Sequence, residues 1–175
     1  GHIYANWLEL PRETITFPAL SLIVSGGHTE LLSMKDHCQF TRLGGTLDDA
    51  AGEAFDKVAN LLKLGYPGGP VVSRRALRGD PEKFHFPRAL INQANYDFSF
   101  SGIKTAVIYG VRELTKKNKL NPSQINDLCA SFQQAVVDVL VAKSLKAISA
   151  YRIKSFVLAG GVAANKLLRE TMRAK

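Results

Sequence analysis

Two glycine pairs stand behind short apolar runs: Ile23-Val24-Ser25-Gly26-Gly27-His28-Thr29 and Ala159-Gly160-Gly161-Val162-Ala163-Ala164-Asn165. Glycine has no Cβ, so backbone N–H groups on such a turn can close on a phosphate. In the first run Ser25 and Thr29 add hydroxyl groups. In the second, a strand–glycine–helix turn aims amides at an anion or a ribose, and Asn165 brings both a donor and an acceptor. Each run also suits a plainer purpose. The first fits a Gly-Gly hairpin turn, and the second fits a strand–helix connection in which Asn165 serves only the first helical turn.

Between them lies Asp48-Asp49-Ala50-Ala51-Gly52-Glu53-Ala54-Phe55-Asp56-Lys57. Asp49, Glu53 and Asp56 recur at helical spacing, so their carboxylates line one stripe opposite the apolar residues. Such a stripe can hold ribose hydroxyls or the water shell of a metal; it can equally be a solvated face. Gly52 asks for a reason, because glycine inside a helix costs about 1 kcal/mol relative to alanine, and close approach of another group is one. A lone histidine near the start, His2, is by itself a surface residue as readily as a ligand. His28 is a general base or a hydrogen-bond donor on its residue type.

These residues need elements to position them. Residues 19–24 read as a buried strand stopped by the glycine turn, with strands over 28–34 and 38–43 completing a meander. The period becomes helical over 48–64, where Ala51, Ala54, Phe55, Val58, Leu61 and Leu62 share one face and Thr46 or Asp48 is placed to cap the start. Gly65 stops that helix, and Tyr66-Pro67-Gly68-Gly69-Pro70 reads as a stiff loop before a short basic helix over 71–78. Residues 95–100 look extended, and 101–117 look helical. Pro122 fits the first turn of a long helix reaching about residue 150, with Ile125, Leu128, Phe132, Val136, Val139 and Leu140 on its core face. A strand over 154–158 leads into the second glycine pair and a helix from Ala163. The pattern predicts an α/β chain with a helical insertion.

Apolar residues make up 46% of the 175 and charged residues 22%, ordinary for a globular domain. No run of about 18 apolar residues suggests a membrane span, and no signal peptide opens the chain, so the expected compartment is the cytoplasm. Cys38 and Cys129 form no CxxC pair, which argues against zinc or redox pairing; their apolar neighbours suggest buried thiols. The net charge is +8, from 23 Lys+Arg against 15 Asp+Glu, a balance that favours a polyanionic partner.

Taken in order, Gly1-His2, Val24 through Leu31, residues 48–57, Tyr66-Pro67-Gly68-Gly69-Pro70, Phe98-Ser99-Phe100-Ser101-Gly102-Ile103-Lys104-Thr105-Ala106 and residues 159–165 closely resemble the TsaD family, also known as glycoproteases or O-sialoglycoprotein endopeptidases. The resemblance implies an actin/sugar-kinase/Hsp70-like (ASKHA) fold with a nucleotide between two lobes. On it, residues 1–45 are the end of the first α/β lobe. Residues 46–150 are a largely helical insertion with connecting helices, and 151–175 start the second lobe. It implies transfer of a threonylcarbamoyl group from threonylcarbamoyl-AMP to N6 of adenosine 37 in tRNAs reading ANN codons (t6A formation), with release of AMP. Family positions contacting the adenylate, or ATP or AMP, fall on Ile23, Val24, Ser25, Gly26, Gly27, Asp56, Gly69 and Asn165. The Ser25-Gly26-Gly27 turn is thereby assigned to the phosphate and acyl region, Asp56 to ribose hydroxyls, and Gly69 with Asn165 to the nucleoside. His28 is the candidate catalytic side chain.

The resemblance also implies a divalent metal, Fe2+ in many members, held by two histidines and a distant aspartate. His2 matches the second histidine. The other two ligands have no counterpart in these 175 residues, so the chain is expected to be an internal fragment, incomplete at both ends and inactive alone. Implied partners are tRNA and TsaB-like and TsaE-like proteins, with no membrane; Arg74, Arg75, Arg78, Lys116, Lys117 and Lys119 are candidates to guide the tRNA. Three other function classes compete. A metalloprotease lacks any HExxH motif here; a nucleotide-binding ATPase or regulator would share the fold without the tRNA chemistry; a structural partner would use the apolar and glycine-rich segments for contacts.

Overall fold

The computed structural model describes residues 15–116 and 118–175. His2 and Lys117 therefore lie outside the described residues, and so do the roles expected of them.

Four strands form one sheet in the order β3-β2-β1-β4. β1 (Ala19–Val24) and β2 (Thr29–Asp36) pair antiparallel, as do β2 and β3 (Gln39–Gly45), so the expected meander is present. β4 (Ser155–Ala159) joins the far side of β1 in parallel. β1 has neighbours on both edges, and five of its six residues are buried, which is why it reads as an unbroken apolar run. The parallel pairing has a direct consequence for the site. Both glycine pairs leave the same end of the sheet, beyond the carboxyl ends of two adjacent strands.

α1 (Ala51–Leu61) buries Ala51, Ala54, Phe55 and Val58, the face the spacing predicts. Its cap differs from expectation. Neither Thr46 nor Asp48 closes it; the Ala51 N–H instead donates to Thr29 Oγ1 at 2.9 Å. Thr29 is fully buried and does not line the cleft described below, so its hydroxyl is out of reach of a phosphate there. Asp48 caps a different helix, α3 (Ser101–Thr115). Its carboxylate accepts from Ser99 Oγ (2.6 Å), Ser101 Oγ (2.7 Å) and the N–H groups of Phe100 (2.8 Å) and Ser101 (3.3 Å).

α2 (Gly68–Ala76) begins three residues before the expected start, because Pro67 supplies the extended residue ahead of it and the two glycines join the helix. α4 (Pro122–Tyr151) runs 30 residues and carries a complete capping box from Asn121 and Gln124. By length and composition this helix could cross a membrane, contrary to the reading that no such stretch exists; 78% of its most apolar window is buried inside the protein, where it is the core helix. Phe132 on α4 meets Phe55 on α1 edge-on, with ring centroids 5.0 Å apart. Lys143 on α4 is fully buried yet satisfied, donating to the carbonyls of Gln93 (3.3 Å) and Asn95 (2.8 Å) and so tethering that loop. A 3-10 turn (Gly161–Ala164) then leads into α5 (Lys166–Ala174).

Of the two cysteines, Cys129 is buried as expected, whereas Cys38 is exposed at the β2–β3 turn with a positive φ of 57°.

Candidate functional site

The β1 turn is held by its own serine. Ser25 Oγ accepts from His28 N (3.0 Å) and Gly27 N (3.4 Å), and Ser25 N donates to the His28 carbonyl at 2.8 Å. Of the amides expected to converge on a phosphate, only Gly26 N–H is left without a partner among the described residues. The plainer reading of a tight turn is thus correct for most of this loop. His28 stands exposed on this turn and does not line the cleft described next.

Helix α1 sits directly on this turn. Gly52 N donates to the Ser25 carbonyl at 3.1 Å, and a Cβ at Gly52 would stand 2.5 Å from that oxygen. Gly52 lies in the first turn of α1 and not inside the helix as its spacing suggested; close approach does explain it, and the approaching group is the protein's own backbone. The carboxylate stripe is only partly open. Lys57 Nζ lies 2.7 Å from both Asp49 and Glu53, which neutralises those two acids against each other's repulsion. The hydrogen bonds that Lys57 donates to Asp49 and Glu53 outweigh its desolvation and raise its pKa. Asp56 is different. Its Oδ1 accepts the Gly68 N–H at 2.7 Å, and Oδ2 has no partner among the described residues.

These pieces surround one cavity of about 540 Å³, within the range of small-molecule sites. Gly26 and Gly52 wall one side; Asp56, Gly69 and Ser73 wall another; Gly161, Val162 and Asn165 close the third. Tyr66, 84% exposed, stands at the rim. The two glycine bends therefore face the same hollow. A Cβ at Gly26, Gly69 or Gly161 would meet nothing within 4 Å, and none of the three has a positive φ. The fold does not need glycine there; a ligand's close approach to bare backbone would.

Of the sequence candidates, Gly26, Asp56, Gly69 and Asn165 line this cavity, whereas Ile23, Val24, Ser25 and Gly27 do not. Asn165 is 9% exposed and fully engaged: Oδ1 accepts from Leu168 N at 3.0 Å, and Nδ2 donates to Gln133 Oε1 at 2.8 Å and Ser73 Oγ at 3.1 Å. It caps α5 and also ties three helices together. Ser73, Tyr66 and Lys166 line the cavity without having been singled out. Ser73 lies one turn beyond Gly69, a spacing that could have nominated it. Among the described residues no three of His, Cys, Asp and Glu gather as ligands, so these residues do not make up the implied metal centre.

The whole chain, residues 1–175, matches the family profile described as tRNA N6-adenosine threonylcarbamoyltransferase. The chain belongs to the TsaD family. Curated relatives bearing that name include one from Symbiobacterium thermophilum, 55% identical over 99% of this chain. Another from Bacillus cereus is 52% identical over the full chain, and one from Staphylococcus carnosus is 50% identical over 99%. In each case the matched part is 49% of the relative's length. The chain thus spans about half the length of the TsaD family members it matches.

Proposed function

We propose that the protein to which this chain belongs transfers the threonylcarbamoyl group of threonylcarbamoyl-AMP to N6 of adenosine 37 in ANN-reading tRNAs. The observation that carries the reading is the shared cleft: two glycine bends from adjacent parallel strands open on one hollow with an unpartnered carboxylate oxygen, Asp56 Oδ2. Family membership and the name of the relatives support the same reaction.

In this reading the sheet belongs to an actin/sugar-kinase/Hsp70-like lobe, and the nucleotide lies at the carboxyl ends of β1 and β4. Asp56 Oδ2 takes the ribose hydroxyls. Gly26 N–H and the bare backbone at Gly69 and Gly161 approach the phosphate and nucleoside, with the N-terminus of α2 adding partial positive charge. The N6 amine of an unstacked adenosine attacks the carbamoyl carbon. The bond from that carbon to the phosphate oxygen breaks, AMP departs with the electron pair, and the amine gives up a proton. Because AMP is a good leaving group, holding the two reactants together is the chain's main contribution.

A divalent iron would act as a Lewis acid when bound. His2 is the one matching ligand, and it lies outside the described residues. Exposed Arg74, Arg78 and Lys119 are suited to steer tRNA, whereas Lys116 is paired with Glu113 at 2.7 Å. TsaB-like and TsaE-like proteins complete the proposed assembly, in the cytoplasm.

The test supplies the intact protein and its partners with threonylcarbamoyl-AMP and unmodified tRNA, then digests the tRNA and quantifies modified adenosine by mass spectrometry. Modified adenosine and AMP should appear in equal amounts. AMP binding with no modified adenosine would favour a nucleotide-binding regulator instead.

A further inference from the structure

We infer that Ser73 donates a hydrogen bond to the nucleoside in the cleft, and that Asn165 and Gln133 are positioning residues which aim its hydroxyl. The inference rests on the reading of the cleft as a nucleotide site.

The Leu168 N–H can only donate, so the atom of Asn165 facing it at 3.0 Å is the carbonyl oxygen Oδ1. This fixes the amide's orientation. Both N–H bonds of Nδ2 are then spent inside the protein, one on Gln133 Oε1 at 2.8 Å and one on Ser73 Oγ at 3.1 Å. Asn165 lines the cleft, but its side chain has no donor left to offer a ligand.

Ser73 is the outlet of this chain of bonds. Its Oγ is occupied as an acceptor by Asn165, so its own O–H bond must point elsewhere, and no described residue accepts it. In particular, it does not bond back to the carbonyl one turn earlier, as Thr105 does to Ser101. Ser73 lies four residues after Gly69 on α2, so the two share a helix face, and both line the cleft. A hydroxyl with one of its two lone pairs taken and its proton free is a donor turned away from Asn165. A ribose oxygen or a ring nitrogen of the base is the acceptor it fits.

Gln133 sets that direction from the far side. It is 7% exposed and lines not the cleft but a neighbouring hollow of about 320 Å³, with which the cleft shares Ser73 and Lys166 as walls. Without the Oε1 acceptor, Asn165 could turn its amide away from Ser73, and the serine proton would lose its bias toward the cleft.

The experiment titrates adenosine and AMP separately into the intact protein by calorimetry. It compares wild type with Ser73→Ala, Ser73→Thr, Gln133→Met and the Ser73→Ala/Gln133→Met double variant. Ser73→Ala should weaken both ligands about five- to tenfold, the loss of one hydrogen bond. Ser73→Thr, which keeps the hydroxyl, should stay within about threefold of wild type. Gln133→Met should weaken both ligands less than Ser73→Ala does, and the double variant should bind no worse than Ser73→Ala alone, because the positioning has nothing left to position. Wild-type affinity in Ser73→Ala, or losses that add in the double variant, would overturn the inference. If wild type binds neither ligand, the nucleotide reading of the cleft fails, and this inference with it.

Discussion

Gly160 and Val24 meet backbone to backbone: any Cβ on Gly160 would run into the Val24 carbonyl, and Gly160 itself holds a φ of 92°. This contact locks the end of β4 against the end of β1 and so fixes the distance between the two glycine bends. Gly160→Ala should therefore lower folding stability by about 3 kcal/mol or more, combining left-handed strain with the collision. Urea unfolding of the two proteins measures it. A loss below about 1 kcal/mol would mean the two turns are not locked in this way.

Gly161 is the counter-case. A Cβ there meets nothing within 4 Å and no positive φ forbids it, so Gly161→Ala should leave stability within about 0.5 kcal/mol of wild type. The added methyl would nevertheless enter the cleft. AMP affinity should fall at least about tenfold, the equivalent of 1.4 kcal/mol. Unchanged affinity would remove Gly161 from the ligand's path.

Asp56 spends Oδ1 on the Gly68 N–H and lines the cleft with Oδ2 unpartnered among the described residues. Wild type should therefore prefer AMP over 2′-deoxy-AMP, by about tenfold or more for one lost hydrogen bond to a charged acceptor. Asp56→Asn should bind the two ligands nearly equally. Persistence of the preference in Asp56→Asn would place the ribose elsewhere.

Asp48 predicts a pH effect on stability. Burial opposes its ionisation, but hydrogen bonds from Ser99, Ser101 and the Phe100 and Ser101 amides outweigh that cost and hold its pKa below 3.8. A carboxylate with a lowered folded pKa contributes stability that is fully present above the unfolded value and is lost as pH falls through the folded one. Asp48→Asn should accordingly be less stable than wild type at pH 6, by about 1 kcal/mol for a helix-capping carboxylate. The gap should close below about pH 3.8. Chemical denaturation at pH 6 and pH 3 checks this; an equal gap at both would assign the effect to shape instead of charge.

Burial pushes the Cys129 thiol up to about 12 despite the nearby Arg75 charge. Thiolate is the reactive form, so Cys129 should resist alkylation by iodoacetamide at pH 8 in the folded protein and react once it is denatured. Peptide mass spectrometry after a timed pulse reads the outcome.

Much of this architecture is legible in the sequence because it rests on local pattern. The buried run of β1, the apolar face of α1 and the capped start of α4 all follow from spacing within a few residues. What spacing could not reveal are partners brought together by folding. Thr29 looks like a phosphate donor until folding buries it against Ala51, 22 residues away, outside the cleft. Asp48 looks like the cap of its own helix, yet its geometry suits Ser101, 53 residues on. Lys57 removes Asp49 and Glu53 from a stripe that the helical period alone had left equivalent to Asp56. Asn165 answers to its plainer reading as the cap of α5; it also borders the cleft, but with its side-chain groups spent on Leu168, Gln133 and Ser73.

In the proposed reading Gly26 and Gly161 border one nucleotide. The most direct measurement is a titration of AMP followed in the amide nitrogen–proton NMR spectrum of the protein. The Gly26 and Gly161 resonances should move together and fit a single dissociation constant. Movement of one without the other, or two unrelated constants, would contradict the account.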